Sequence, residues 1–232
     1  YTIFKSLTTL KLCEELNQHC TGRFVPVFWL ASDDHDFREI NNIHFVNRQN
    51  EISRLVYEDH PRDSRMPASE ILITSAIEEL INQLDESTHP SEFKASVIER
   101  LRECYKQGTS FSQAFGKWMM QLFKSYGLIL IDASAPGFKE LGKNVFIREI
   151  RQKSPSTRHA LATSEQLSKS NYHNQVILKQ GVLNIFYHSE GRQSIHFEND
   201  YYMIKNQTEV YSTDALTELV HAKPHLFSPT VM

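Results

Sequence analysis

Cysteine is scarce in this 232-residue chain: Cys13, Cys20 and Cys104 are the whole set, and no two of them form a CxxC pair. An odd, sparse set argues against a disulfide framework and fits reduced thiols in a cytoplasmic setting. Long apolar runs are missing too. No stretch reaches the roughly 18 residues of a membrane-spanning helix, and no secretory leader is visible. Charge is modest: 25 Lys and Arg against 28 Asp and Glu leave a net −3 with histidine neutral. That balance gives no reason to expect nucleic acid or an anionic membrane as a partner. Internal repeats and low-complexity segments are absent as well. The chain opens on Tyr1 rather than Met, already in helical pattern, and closes on "LFSPTVM" with no terminal element, so a fragment cut at both ends is expected.

What is present suits one globular domain: 40% hydrophobic and 23% charged residues, enough apolar material for a core. Ile3, Leu7, Leu10 and Leu16 recur at helical spacing over 1–19. "RFVPVFWLA" is a short continuous apolar run, the pattern of a strand buried on both faces, with Pro26 placing its first residues at the strand's entry. "DFREINN" reads as a short helix after N-cap candidates Ser32 and Asp33. Extended structure follows, then "HPRDSRMP" as a loop. Helices are expected from Ser69 to Leu84, from Phe93 to Gly108, and from Phe111 to Tyr126. Gly127 stops the last of these and "LILIDA" gives a second buried strand ending in Asp132. A helix beginning near Phe138 comes next. Two helix–strand–acid–helix passages point to an α/β sheet with helices on both faces, interrupted by a helical insertion at about 69–110. The last third alternates from "QVILKQGVLNIFYH" onwards, turns at "SEGR" and reads as antiparallel β-hairpins, with "STDALTELVHA" as a capped short helix.

The conspicuous local feature is "SDDHDFRE", residues 32–39, directly after the first strand. Ligands of open α/β sheets bind outside the carboxyl ends of the strands, and Asp132 ends a second strand. Three readings of the cluster stand open: a solvated acidic turn with capping roles, a metal site of Asp and His, and a polar site that grips an amine or hydroxyls with His35 as acid or base. Weaker candidates are Thr2 and Lys5 on the opening helix, and Lys139 and Lys143 after the second strand. Phe115 and Trp118 read as core, Cys104 as structural, and Asn184 and Arg192 as surface positions of a hairpin. His188, His196, His221 and His225 show no metal-ligand spacing.

"PVFWLASDDHDFREI" resembles the PVFW…DHD-F-x-E segment of the bacillithiol biosynthesis cysteine-adding enzymes, the BshC family. The likeness continues in "YTIFKSLTTLKL", in "FGKWMMQLFKSYGLILIDASAPGFKEL", in "NQVILKQGVLNIFYHSEGRQSI" and in "HLFSPTVM", in the family's order and over essentially all 232 residues. The resemblance implies a Rossmann-like, nucleotidyltransferase-like core covering 1–232, with the C-terminal coiled coil that dimerises the full-length protein absent here. It implies a cytoplasmic ligase that adds cysteine to glucosaminyl-malate, with ATP as the expected activator and no metal assigned. Asp34, His35 and Asp36 match the DHD residues and are the expected catalytic group. Thr2, Lys5, Trp29, Ser32, Asp33, Glu39 and Asp132 are the expected substrate-binding residues. Asp33 stands where the family often has Glu, which keeps the charge. Two other readings remain: a related Rossmann-like transferase or ligase acting on another amine, and a non-catalytic ligand-binding or assembly module.

Overall fold

The structure, a computed structural model, describes residues 1–60, 66–174, 176, 179–189 and 191–229. The chain divides into two compact units, Tyr1–Ala133 and Ser134–Met232.

The first unit opens with helix α1 (Thr2–His19) and strand β1 (Val27–Leu30). A hairpin of β2 (Asn42–Val46) and β3 (Ile52–Val56) follows. Helices α2 (Ala76–Ser87), α3 (Lys94–Cys104) and α4 (Phe111–Phe123) come next, then β4 (Ile129–Asp132). β4 pairs with β1 in parallel, in the register Val27↔Ile129 to Leu30↔Asp132. A parallel pair needs a long crossover, and here the hairpin and three helices supply it. The α/β reading is borne out by that pairing.

Local chemistry accounts for the boundaries around β4. Ser110 caps α4: its hydroxyl accepts the Gln113 N–H, while the Gln113 side chain accepts the Ser110 N–H. Gly127, at φ 77°, takes the left-handed conformation that lets the chain leave the helical turn at 124–126 and enter β4 at once. Gly116 on α4 lies so close to β1 that a Cβ there would stand 3.2 Å from Leu30 Cδ1. One face of the β1–β4 pair therefore packs on α4: Phe28, Leu128 and Leu130 join Phe115, Trp118, Met119 and Phe123 in one apolar cluster, with Leu10 of α1. Burial of β1 on both faces is not observed. Val27, Trp29 and Ile129 alternate to the opposite side and are 40%, 37% and 46% exposed.

A second cluster in this unit gathers Phe37, Tyr57, Ile71, Ile73, Ile77, Ile81, Ile98, Phe111 and Ala114. Beside it a cavity of about 180 Å³ is lined by Ile43, Leu55, Leu80, Leu84 and Tyr105, among others. Two expected elements shrink here. The helix expected from Ser69 begins only at Ala76, because backbone groups before it serve tertiary bonds: Ala68 N–H to Asp34 C=O, Ser69 N–H to Ser32 C=O, and Ile73 N–H to Thr109 C=O. The helix after Asp36 is a single 3-10 turn, Phe37–Glu39, and neither Ser32 nor Asp33 caps it. The loop expected at "HPRDSRMP" lies in part, at residues 61–65, outside the described residues.

The second unit begins with α5 (Pro136–Arg151), whose first turn carries Pro136, and α6 (Pro155–Lys169). Strands β5 (Val182–His188), β6 (Arg192–Glu198), β7 (Tyr201–Ile204), β8 (Val210–Ser212) and β9 (Phe227–Pro229) form an antiparallel sheet in the order β8-β7-β6-β5-β9. Helix α7 (Thr213–Ala222) is capped by Ser212, as expected. Alternate residues Leu183, Ile185, Ile195, Tyr202 and Ile204 face Phe146, Ile147 and Ile150 of α5 and Leu216 and Val220 of α7. The Tyr202 hydroxyl donates to Ile150 C=O at 2.8 Å inside that core. Two differences from expectation stand out. α6 has only Thr157 buried, so it carries no strong apolar stripe. The closing "FSP" is a strand, β9, paired with β5. The turn expected at "SEGR" includes residue 190, and the alternation from "QVIL" includes 175, 177 and 178, all outside the described residues.

Tyr105 supplies a test of this packing. Burial, and secondarily the neighbouring Cys104, push its phenol up to about 12. An unfolded tyrosine titrates near 10, so between pH 10 and 12 the unfolded state has lost a proton that the folded state keeps. Stability from this group is complete below pH 10 and falls across pH 10–12 by on the order of 2–3 kcal/mol. Denaturant unfolding of wild type and Tyr105→Phe over pH 8–12 should show a shallower alkaline decline in the variant.

Candidate active site

The parallel register brings the carboxyl ends of β1 and β4 side by side. Leu30 stands opposite Asp132, and Ala133 N–H reaches back to Leu30 C=O at 3.4 Å. Two residues past β1, the buried Ser32 hydroxyl donates to Asp132 Oδ1 in a short contact that ties the two strand ends together. Ser32 and Asp132 thus meet, and Ser32 acts as a clasp between strands and not as the helix cap expected of it.

The loop then turns. Asp34 N–H donates to Ala31 C=O at 3.1 Å. Asp34 Oδ1 accepts the His35 N–H at 2.7 Å and the Asp36 N–H at 3.3 Å, the local side-chain-to-backbone pattern that aspartate favours in turns. From the other side, Ala68 N–H donates to Asp34 C=O at 2.8 Å and Ser69 N–H to Ser32 C=O at 3.0 Å. Repulsion among the three closely spaced carboxylates is eased where Asp34 accepts two amide hydrogens and where Asp36 faces solvent, while Asp33 is buried.

His35 is exposed, with Nδ1 3.6 Å from Asp34 Oδ1. An open imidazole between two carboxylates can hold a cation and take or give a proton. Trp29 lies in β1 opposite Ile131, and Glu39 ends the 3-10 turn on the surface. Thr2 and Lys5 occupy the first turns of α1, with local contacts: Thr2 C=O accepts the Ser6 hydroxyl, and the Lys5 ammonium lies 4.3 Å from the Tyr1 ring centroid. The structure thus joins Ser32 with Asp132, and Asp34 with His35 and Asp36. Among the described residues, no group of three or more His, Cys, Asp and Glu is arranged to hold a metal ion, and no helix is long and apolar enough to cross a membrane.

Two polar positions behave differently from the sequence reading. Arg192 is buried rather than on the surface; it donates to Pro229 C=O at 2.8 Å and lies over the Phe186 ring. Lys139 is also buried, 3.3 Å from His225 C=O. Nearby in β5, the buried His188 shares a 2.6 Å hydrogen bond with Ser228. Their partners are 37, 86 and 40 residues away in sequence, a separation that local pattern does not register. Cys104 is buried, as a structural role requires, and burial pushes its thiol up.

A parallel strand pair joined through a helical crossover, with polar groups gathered at its carboxyl ends, is an α/β arrangement. Comparison with known proteins agrees. The family model described as "Bacillithiol biosynthesis BshC, N-terminal Rossmann-like domain" matches residues 1–232, and the chain belongs to that family. Similar proteins named as candidate cysteine ligases BshC include one from Salinibacter ruber, 32% identical over 234 residues, and one from Chloroherpeton thalassium, 31% identical over 237. Another, from Lysinibacillus sphaericus, is 25% identical over 233 residues. Each match covers 100% of this chain and 42–43% of the relative. The chain therefore spans less than half the length of the curated relatives it matches.

The clasp predicts a measurable penalty. Ser32→Ala removes the hydroxyl that Asp132 accepts and should lower unfolding stability by about 1–3 kcal/mol. Thr9→Ala, which removes an exposed hydroxyl on α1, should stay within about 0.5 kcal/mol. Urea unfolding of both variants checks the difference.

Proposed function

We propose that this chain carries the amine-binding part of the active site of a carbon–nitrogen ligase that adds cysteine to glucosaminyl-malate to give bacillithiol. The observation that carries the reading is the acidic loop itself: His35 exposed between Asp34 and Asp36, at the carboxyl ends of β1 and β4, in a chain that belongs to the BshC family. The names of the relatives support the cysteine-ligase class.

In this reading Asp34, His35 and Asp36 are the catalytic group, and Trp29, Ser32, Asp33, Glu39 and Asp132 shape the substrate crevice, with Thr2 and Lys5 on α1 as further binding residues. The sugar amine arrives as an ammonium, which the carboxylates attract. One proton leaves to solvent and the free amine attacks the activated cysteine carbonyl. The C–N bond forms, the carbonyl's bond to its leaving group breaks, and the second amine proton passes to His35. Cysteine and an amine do not condense unaided in water, so ATP is proposed as the carboxyl activator, from the ligase class alone. Asp33, Asp34, Asp36 and Asp132 suit a cation and not a triphosphate, so no residue of this crevice is assigned to the nucleotide. The full-length protein is proposed to act on soluble small molecules in the cytoplasm, as a homodimer.

The test is made in the full-length protein. His35→Ala and Asp36→Asn should each reduce amide formation by roughly 10²–10⁴-fold, the range of a lost acid–base group. In cells, bacillithiol should fall and glucosaminyl-malate accumulate, as read by thiol-labelling mass spectrometry. Unchanged bacillithiol in both variants contradicts the assignment.

A further inference from the structure

Nothing in the reaction proposed above uses the residue that follows the acidic loop, yet its side chain is buried. Phe37 is 5% exposed, although residues 34–36 before it and 38–40 after it are open to solvent. Its ring meets three others edge to face: Phe111 with centroids 4.8 Å apart, His60 at 4.4 Å, and Tyr57 at 6.3 Å. Tyr57 and Phe111 also touch each other, at 5.0 Å. Aromatic pairs at such distances and angles prefer one relative orientation and resist rotation out of it.

Each partner ring is itself held. The Tyr57 hydroxyl accepts the Thr74 N–H at 2.9 Å and lies 3.0 Å from the Thr74 hydroxyl, which in turn donates to Asp59. Phe111 opens α4, and its N–H donates to Ile71 C=O at 3.2 Å. The socket is thus built from the end of β3 and the start of α4, elements far from Phe37 in sequence.

The link from socket to loop is a short stretch of backbone. Phe37 N–H donates to His35 C=O at 2.9 Å, and Phe37 C=O accepts from Ile40 at 3.1 Å and Asn41 at 2.9 Å. Asn41 is in turn pinned to Tyr57: its C=O accepts the Tyr57 N–H at 2.7 Å, and its amide donates to Tyr57 C=O at 3.2 Å. Upstream, Ser32 is fixed to Asp132 and Asp34 C=O to Ala68. The exposed His35 and Asp36 therefore span two fixed points.

We propose that Phe37 is the positioning residue of this site: its ring, seated among Tyr57, His60 and Phe111, places His35 and Asp36 through the backbone they share. The inference rests on the proposed ligase reading of the loop. Displacing a reacting group by about 1 Å can lower turnover on the order of a hundredfold. Leucine at 37 fills less of the socket and has no ring edge, so the loop gains freedom while the apolar cluster persists.

The experiment uses the full-length enzyme with cysteine, glucosaminyl-malate and ATP, scoring product by mass spectrometry below each variant's melting temperature. Phe37→Leu should lower kcat by about tenfold or more, with KM for glucosaminyl-malate within about twofold of wild type. Ile81→Ala truncates a buried member of the same cluster and should lower Tm at least as far while leaving kcat unchanged. Wild-type kcat in Phe37→Leu, or an equal loss of kcat in Ile81→Ala, overturns the positioning role. If Phe37→Leu does not accumulate, Phe111→Leu is read by the same criteria. His35→Ala run alongside separates the two levels: lost turnover there with wild-type turnover in Phe37→Leu removes only the positioning role, whereas full turnover in His35→Ala removes the site.

Discussion

The parallel pairing of β1 with β4 is the constraint on which the rest of the first unit depends. Its register puts Leu30 opposite Asp132, so the chain leaves both strands at the same end. The Ser32 hydroxyl can then reach the Asp132 carboxylate across the gap. Shift the register by one residue and side chains exchange faces: Leu30 would leave its contact with Gly116, and Asp132 would turn away from Ser32. Packing and site geometry are therefore set by one set of backbone hydrogen bonds.

The acidic loop is costly only if its charges are treated alike. Repulsion between neighbouring carboxylates is lowered where one of them accepts amide hydrogens, as Asp34 does, and where another stands in water, as Asp36 does. What remains is an open imidazole between two carboxylates, held by backbone bonds on one side and by a buried phenylalanine on the other. The loop is fixed by backbone bonds, by the Ser32 hydroxyl on Asp132 and by one oxygen of Asp34. Binding sites on loops gain precision when the surrounding scaffold supplies the rigidity.

Much of this was legible in the residues. "RFVPVFWLA" and "LILIDA" read as strands because short continuous apolar runs suit a sheet, and polar groups follow or end both. Phe111, Phe115, Trp118 and Leu122 gave α4 by their spacing, and Gly127 gave its end. The position of Asp34, His35 and Asp36 beyond a strand was legible for the same reason. The start of α2 was not, because residues 68–73 lend their amides and carbonyls to the acidic loop and to Thr109. α6 was missed because burial of Thr157 alone leaves no periodic apolar signal. The burial of Arg192 and His188 depends on partners in β9, that of Lys139 on His225, and the socket of Phe37 on Tyr57 and Phe111. Contacts across such separations have no local pattern to announce them.

The account's central claim is that the acidic loop is fixed where the two strands end. Native-state hydrogen exchange of the full-length protein tests this most directly, read at the amides of Ala68, Ser69 and Ala133. These donate to Asp34, Ser32 and Leu30. Exchange as slow as that of the β1 and β4 amides is the predicted result. Exchange at the rate of an unprotected chain at all three would contradict it.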